Sequence, residues 1–329
     1  MVLLMIIMTP GIPEYMTGSS QLGDLIFSPA SFFLGLAFNI ALYSTGAILI
    51  REFAIKFRKG WATILLLGLA YGIMEEGISV HTFFIPSGNP VGLLGSYGRF
   101  LGIDWIWAIG ISIFHAVFSI GLPILLLSIA YPERSGERLL GKKSASLVLG
   151  IYSIDVIVLN IVVNSARPVA VPTPADYVFF LGIAILLVIM ARILPGEWLS
   201  GKGETKQGKW KFFFLGALVF PLYSFNAFLS PIINGRYGIS PLLDSILFII
   251  GNILIALAIA RFMPRKDNRG HKFALAIGLL TPLFVWAELV QVLGIARIIT
   301  VVSLIAIIFL LKLRGLIKGP ILIGETYSR

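Results

Sequence analysis

The 329-residue sequence contains no cysteine, which excludes a disulfide, a thiolate metal site and a cysteine nucleophile. Charge is scarce too: Asp, Glu, Lys and Arg together make up 13% of the chain, about half of what a soluble domain carries. Histidine occurs only three times. Apolar residues fill the space left, at 57% of the chain and a mean hydropathy of +0.94. They come in blocks of about twenty, the length that crosses a hydrocarbon layer of ~30 Å. The composition implies an all-α, polytopic transmembrane helix bundle.

Nine spans are expected, at about 28–50, 61–86, 101–130, 145–166, 176–195, 211–233, 240–263, 273–292 and 295–313. The last two are joined by a short segment, Val292 to Ile295, and form either a tight hairpin or one broken helix. Residues 1–27 read as an extracytoplasmic, interfacial lead-in whose only charges are Glu14 and Asp24. Its opening run, Met1–Met8, is too short to span and has no basic flank of the kind a signal peptide needs. Residues 28–316 form the transmembrane domain and 317–329 a cytoplasmic tail. No soluble domain interrupts the chain, and no internal repeat is visible.

The net charge of +10 is not a nucleic-acid signal, because the basic residues sit in short loops between apolar blocks. Arg99, Arg167, Arg236 and Arg297 fall on one set of alternate loops, and all the other basic residues fall on the opposite set. Basic loops face the cytoplasm, so the C-terminus is expected inside and, with nine spans, the N-terminus outside. The protein is expected in the cell membrane, with the bilayer as its first partner.

The second span carries two adjacent acids, Glu75 and Glu76. At mid-membrane each costs roughly 2.5–3.5 kcal/mol, so the pair requires partners, protons or water and marks a functional site. Helical rise of about 1.5 Å per residue places both acids roughly ten residues below the outer end of their helix. Asp155 lies at a similar depth and His115 slightly deeper. His81, Asn160, Asn164, Asn226 and Glu288 lie nearer the outer surface. Ser112, His115 and Ser119 form one polar stripe, and Tyr223, Asn226 and Ser230 form another just after Pro221. Adjacent positions on an α-helix point about 100° apart, so Glu75 and Glu76 are not expected to face one cavity equally, and His81 should serve a different contact. Arg51 and Glu52 read as an interfacial anchor or salt bridge, and Trp61, Trp105 and Trp107 as an aromatic belt.

Tyr43-Ser-Thr-Gly-Ala-Ile-Leu-Ile-Arg51-Glu52, with Gly60-Trp61 and Gly68-Leu-Ala-Tyr71-Gly-Ile-Met-Glu75-Glu76-Gly77, resembles an uncharacterised family of prokaryotic polytopic membrane proteins over about the first 140 residues. The glutamate pair followed by His115 on the next span is also remotely similar to the CAAX-protease and bacteriocin-processing superfamily of glutamate-dependent intramembrane proteases. That superfamily carries E-E-x-x-x-R, F-x-x-x-H and H-x-x-x-N/D. Here Val80 stands at the arginine position and Ile111 at the phenylalanine position, and only Asn160-x-x-x-Asn164 has the third spacing. The resemblance implies a metal-independent peptidase without cofactor: Glu75 or Glu76 as general base on water, the other acid orienting it, and His115 at the oxyanion or the leaving amine.

Three readings stand side by side. One is this hydrolase, acting on a membrane peptide. The second is a proton- or cation-coupled transporter or channel for a small ion or solute, in which Glu75, Glu76, Asp155 and Glu288 exchange protons or bind ions and the proline-bearing sixth and eighth helices break around the site. His81, Asp155, Asn160, Asn164, Asn226 and Glu288 are the candidate binding residues. The third is a non-catalytic scaffold. The absence of cysteine gives the orientation a clean test. Single cysteines at Ser96 and Ser240 should react with an impermeant maleimide on intact cells, whereas cysteines at Ser135 and Ser200 should react only after permeabilisation. The opposite pattern overturns the assignment.

Overall fold

A computed structural model describes residues 1–86, 96–166, 171–203, 208–265 and 268–290, without the side chains of 288–290. Eight helices in it are long and apolar enough to cross a membrane. A shorter helix, α1 (Val2–Tyr15), precedes them. The eight are α2 (Pro29–Lys56), α3 (Trp61–Ser79), α4 (Trp105–Ala130), α5 (Lys142–Ala166), α6 (Pro174–Ile193), α7 (Lys209–Asn234), α8 (Pro241–Phe262) and α9 (Arg269–Ala287). They match the first eight expected spans, with ends that differ by up to about seven residues, as at Ser79 of α3. The ninth, the junction at 292–295 and the tail lie outside the described residues, as does the side chain of Glu288.

Local chemistry sets several of these ends. The α6 helix opens on a capping box in which Asp176 N donates to Thr173 Oγ1 at 3.3 Å and Thr173 N donates to Asp176 Oδ2 at 2.8 Å. Pro174 sits in its first turn, where a missing N–H costs nothing. The α3 helix stops at Ser79, earlier than a run of apolar residues to Pro86 suggests. His81 takes a left-handed conformation (φ 59°) and starts a 3₁₀ turn, Thr82–Phe84. His81 and Phe83 are fully buried, so this segment folds over the end of α3 rather than extending it. The acids therefore sit within about one turn of the helix end, not ten residues below it. Beyond, β1 (Arg99–Phe100) pairs antiparallel with β2 (Ile103–Asp104) and leads into α4.

The bundle has an inside and a rim. The apolar stretches of α3 and α4 are 78% and 83% buried, whereas those of α5, α6 and α8 are 11%, 17% and 17% buried. The rim helices leave large apolar side chains uncovered, which hydrocarbon solvates without penalty. Lead-in residues join the inside: α1 packs against the middle of α2 and against α4, and Met5 and Thr9 are fully buried.

Two devices hold the inner helices. At one end, Glu52 accepts from the backbone N–H groups of Leu139 (2.7 Å) and Leu140 (3.3 Å) and pairs with Arg51 at 3.2 Å. Arg51 in turn donates to the carbonyls of Arg134 and Ser135. The expected Arg51–Glu52 salt bridge thus clamps the loop after α4 to the end of α2. Within the membrane, Gly68 and Gly72 let α3 approach α4 closely. A Cβ on Gly68 would lie 2.7 Å from Ala116 Cα, and one on Gly72 would lie 2.9 Å from Ser112 Cα and 3.1 Å from His115 Cβ. Small residues are the usual means of such approach where lipid removes the hydrophobic drive.

Gly72→Ala should therefore push α3 off α4 and destabilise the fold by about 1–3 kcal/mol. Gly150→Ala, on the rim with nothing within 4 Å, serves as its control. Thermal unfolding of both in detergent checks this, and equal midpoints overturn it.

Candidate functional site

Among the described residues, five segments are wound as π-helix: Gly11–Tyr15, Ile40–Ser44, Ile73–Ser79, His115–Gly121 and Phe225–Leu229. They carry Glu14, Tyr43, Glu75 with Glu76, His115 with Ser119, and Asn226. Short π-helical insertions inside α-helices recur at functional sites. The last follows Pro221, whose missing N–H interrupts the ordinary ladder.

The first four converge. His115 Nε2 lies 2.9 Å from Glu76 Oε1, and His115 Nδ1 lies 2.8 Å from Ser119 Oγ and 3.3 Å from Glu75 Oε2. Glu75, Glu76 and His115 are 4%, 8% and 2% exposed. One imidazole thus meets both acids, against the expectation that only one of them could face a shared centre. The physical reason is the π winding, whose wider turn separates neighbouring side chains by less than 100°. Long carboxylates then reach opposite nitrogens of the ring.

Each acid has its own surroundings. Thr82 donates its hydroxyl to Glu76 Oε2, and Trp107 Nε1 donates to Thr82 Oγ1 at 2.9 Å. Trp107 is buried on this relay and does not belong to an aromatic belt. Glu75 Oε2 has no hydrogen bond, although His115 Nδ1, which bonds Ser119, lies 3.3 Å away. Tyr71 lies beside Glu75 with its hydroxyl also unpartnered. The rings of Tyr43 and Tyr71 stand 6.0 and 5.9 Å from the imidazole, and Tyr152 stands 6.2 Å from Tyr71.

Glu14 is the acid that sequence reasoning left in the lead-in. Tyr43 donates to its Oε1 at 2.5 Å and Ser20 to its Oε2 at 2.8 Å. It is close enough to Glu76 and His115 to feel their charge. Its only sequence signal is an acid directly after an apolar, proline-punctuated run. Thr82, Tyr71 and Trp107 gave none, since their roles arise from the fold of 80–86 and from π winding.

With all acids ionised and the imidazole protonated, Glu14, Glu75, Glu76 and His115 carry a net −2. Burial makes that charge costly, so the cluster favours bound protons or a cation. Glu75, Glu76 and His115 each offer one donor atom, all within 4.8 Å of one another. This set suits a divalent ion that takes imidazole and carboxylate, although the expectation was of no metal.

The other expected residues lie elsewhere. His81 Nε2 is 2.8 Å from Asn160 Nδ2, 2.9 Å from the Ile78 carbonyl and 3.3 Å from Tyr177 Oη. Asn164 Nδ2 donates to Asn160 Oδ1 at 3.1 Å. These residues tie α5 and α6 to the end of α3. Asp155 and Val156 are the buried residues of α5, and Asp155 Oδ2 has no hydrogen-bond partner. Asn226 borders a separate cavity between α7 and α8.

No curated protein and no solved structure matches the chain, and none of the comparisons ties it to the CAAX-protease superfamily. A family model does match residues 2–196, a stretch that runs from α1 through α6 and contains Glu14, both acids of α3 and His115. The chain belongs to an uncharacterized membrane protein family.

Proposed function

We propose that this multi-pass protein of the cell membrane is an intramembrane hydrolase in which a glutamate activates water. The observation that supports this reading is the buried His115 imidazole in contact with two carboxylates, one of which, Glu75, keeps an oxygen without a hydrogen bond. Glu76, fixed by Thr82 and His115, is suited to positioning. Glu75 is suited to act as base.

Glu75 removes a proton from water as the water oxygen bonds to a peptide carbonyl carbon. The unpartnered Tyr71 hydroxyl donates to the resulting oxyanion. The C–N bond then breaks, and the imidazolium of His115 supplies the proton that the leaving amine takes. Substrates would be peptide bonds of membrane segments, as the remote resemblance of the Glu-Glu and histidine pattern suggests.

A second reading has its own support: three carboxyls share one imidazole, so the centre also suits reversible uptake of protons or a cation during transport. One set of proteins separates the two. In proteoliposomes containing a labelled transmembrane peptide, Glu75→Gln and Glu76→Gln should each lower cleavage at least about a hundredfold. Unchanged turnover in both overturns the hydrolase. No cleavage by the unaltered protein, together with pH-driven ion uptake that both substitutions abolish, establishes transport instead.

A further inference from the structure

The cavity between α7 and α8 has a volume of about 340 Å³ and lies apart from the acid–imidazole cluster. Its size falls in the range of small-molecule sites, about 300–1,000 Å³. Asn226 borders it, is 2% exposed, and has no hydrogen-bond partner at either Nδ2 or Oδ1. A buried carboxamide with donor and acceptor both unmet is a recognition group awaiting its complement.

The carboxamide is held in place from behind. A Cβ on Gly110 of α4 would lie 3.1 Å from Asn226 Oδ1, so the absence of a side chain there makes room for the oxygen. The cavity's acid is already engaged: Ser230 donates to Asp244 Oδ2, and Asn234 Nδ2 donates to Ser230 Oγ at 2.8 Å. The remaining wall is apolar, including Leu222 and Phe248. Water filling such a space would find too few partners. Phe225 of α7 and Leu243 and Leu247 of α8, which also border the cavity, are 41%, 48% and 58% exposed, so its open side is apolar.

We propose that this cavity binds a neutral amphiphile whose head presents a carbonyl beside an N–H, a primary carboxamide being the simplest, with its chain lying among α7 and α8. The carboxamide pairs edge to edge with Asn226, its carbonyl accepting from Nδ2 and its N–H donating to Oδ1.

Equilibrium binding to the full chain in nanodiscs tests this with three probes sharing one 18-carbon chain: the primary amide, the methyl ester and the ammonium salt. The amide should bind about tenfold more tightly than the ester, which lacks the donor. Asn226→Leu should remove that preference, and Leu243→Trp, at the exposed mouth, should block all uptake. Indifference among the probes would make the cavity a plain apolar crevice. Tighter binding of the ammonium, lost in Asp244→Asn, would make it a cation site. Either result overturns the proposal, as does an Asn226→Leu protein that keeps the amide preference. The wild-type probe comparison needs no variant to fold. Glu75→Gln should bind the amide as the wild type does, which keeps this test separate from that of the hydrolase.

Discussion

The contact between one imidazole and two carboxylates organises the inner half of this protein. Neither acid is tolerable in hydrocarbon alone, and a single histidine does not neutralise both. The chain therefore gathers everything that softens their charge: Ser119 on the ring, Thr82 and Trp107 behind Glu76, and tyrosines beside Glu75. The close approach of α3 to α4 at Gly68 and Gly72 is what makes the contact short. The segment after His81 roofs it over, and α1 brings in a third acid from the side.

The division between inside and rim follows from the same constraint. Helices α3 and α4 are buried because their polar groups need protein around them. Helices α5, α6 and α8 are largely bare because their apolar faces lose nothing to lipid. Polar contacts from the rim are local: Asn160, Asn164 and Tyr177 bond to one another and to His81, and so hold α5 and α6 to the end of α3. The clamp at Glu52 works at the opposite end, where Arg51, Arg138 and the backbone N–H groups of a loop share one carboxylate.

Much of this was legible in the sequence because hydrophobic length is a blunt and reliable signal in membranes. The first eight spans, the Arg51–Glu52 pair and the meeting of the third-span histidine with the second-span acids could be read directly. Regular α-winding puts Glu75 and Glu76 on different faces. Apolar length alone carries α3 on to Pro86, and the shortness of the Met1–Met8 run leaves Glu14 in an interfacial lead-in. Trp107 was misassigned for another reason, since a tryptophan near a helix end looks the same whether it faces lipid or donates inward. Nothing in the order of residues marks Asn226 as unpartnered, because that depends on Gly110 of a distant helix.

Widened turns carry a hidden requirement of their own. A backbone that stretches its ladder strands carbonyl oxygens, and hydrocarbon offers them no donor. In several places the chain answers with hydroxyls: Ser79 donates to the Met74 carbonyl at 3.0 Å, Thr17 to the Pro13 carbonyl at 2.5 Å, and Thr45 to the Ala41 carbonyl. These hydroxyls give the carbonyls a donor from close by, as Ser and Thr also do on regular turns, where Thr281 donates to the Ile277 carbonyl at 2.7 Å. Hydroxyls that answer a carbonyl of their own helix spend no polar atom on a neighbour, which lets the widened turns sit in hydrocarbon without recruiting a further partner.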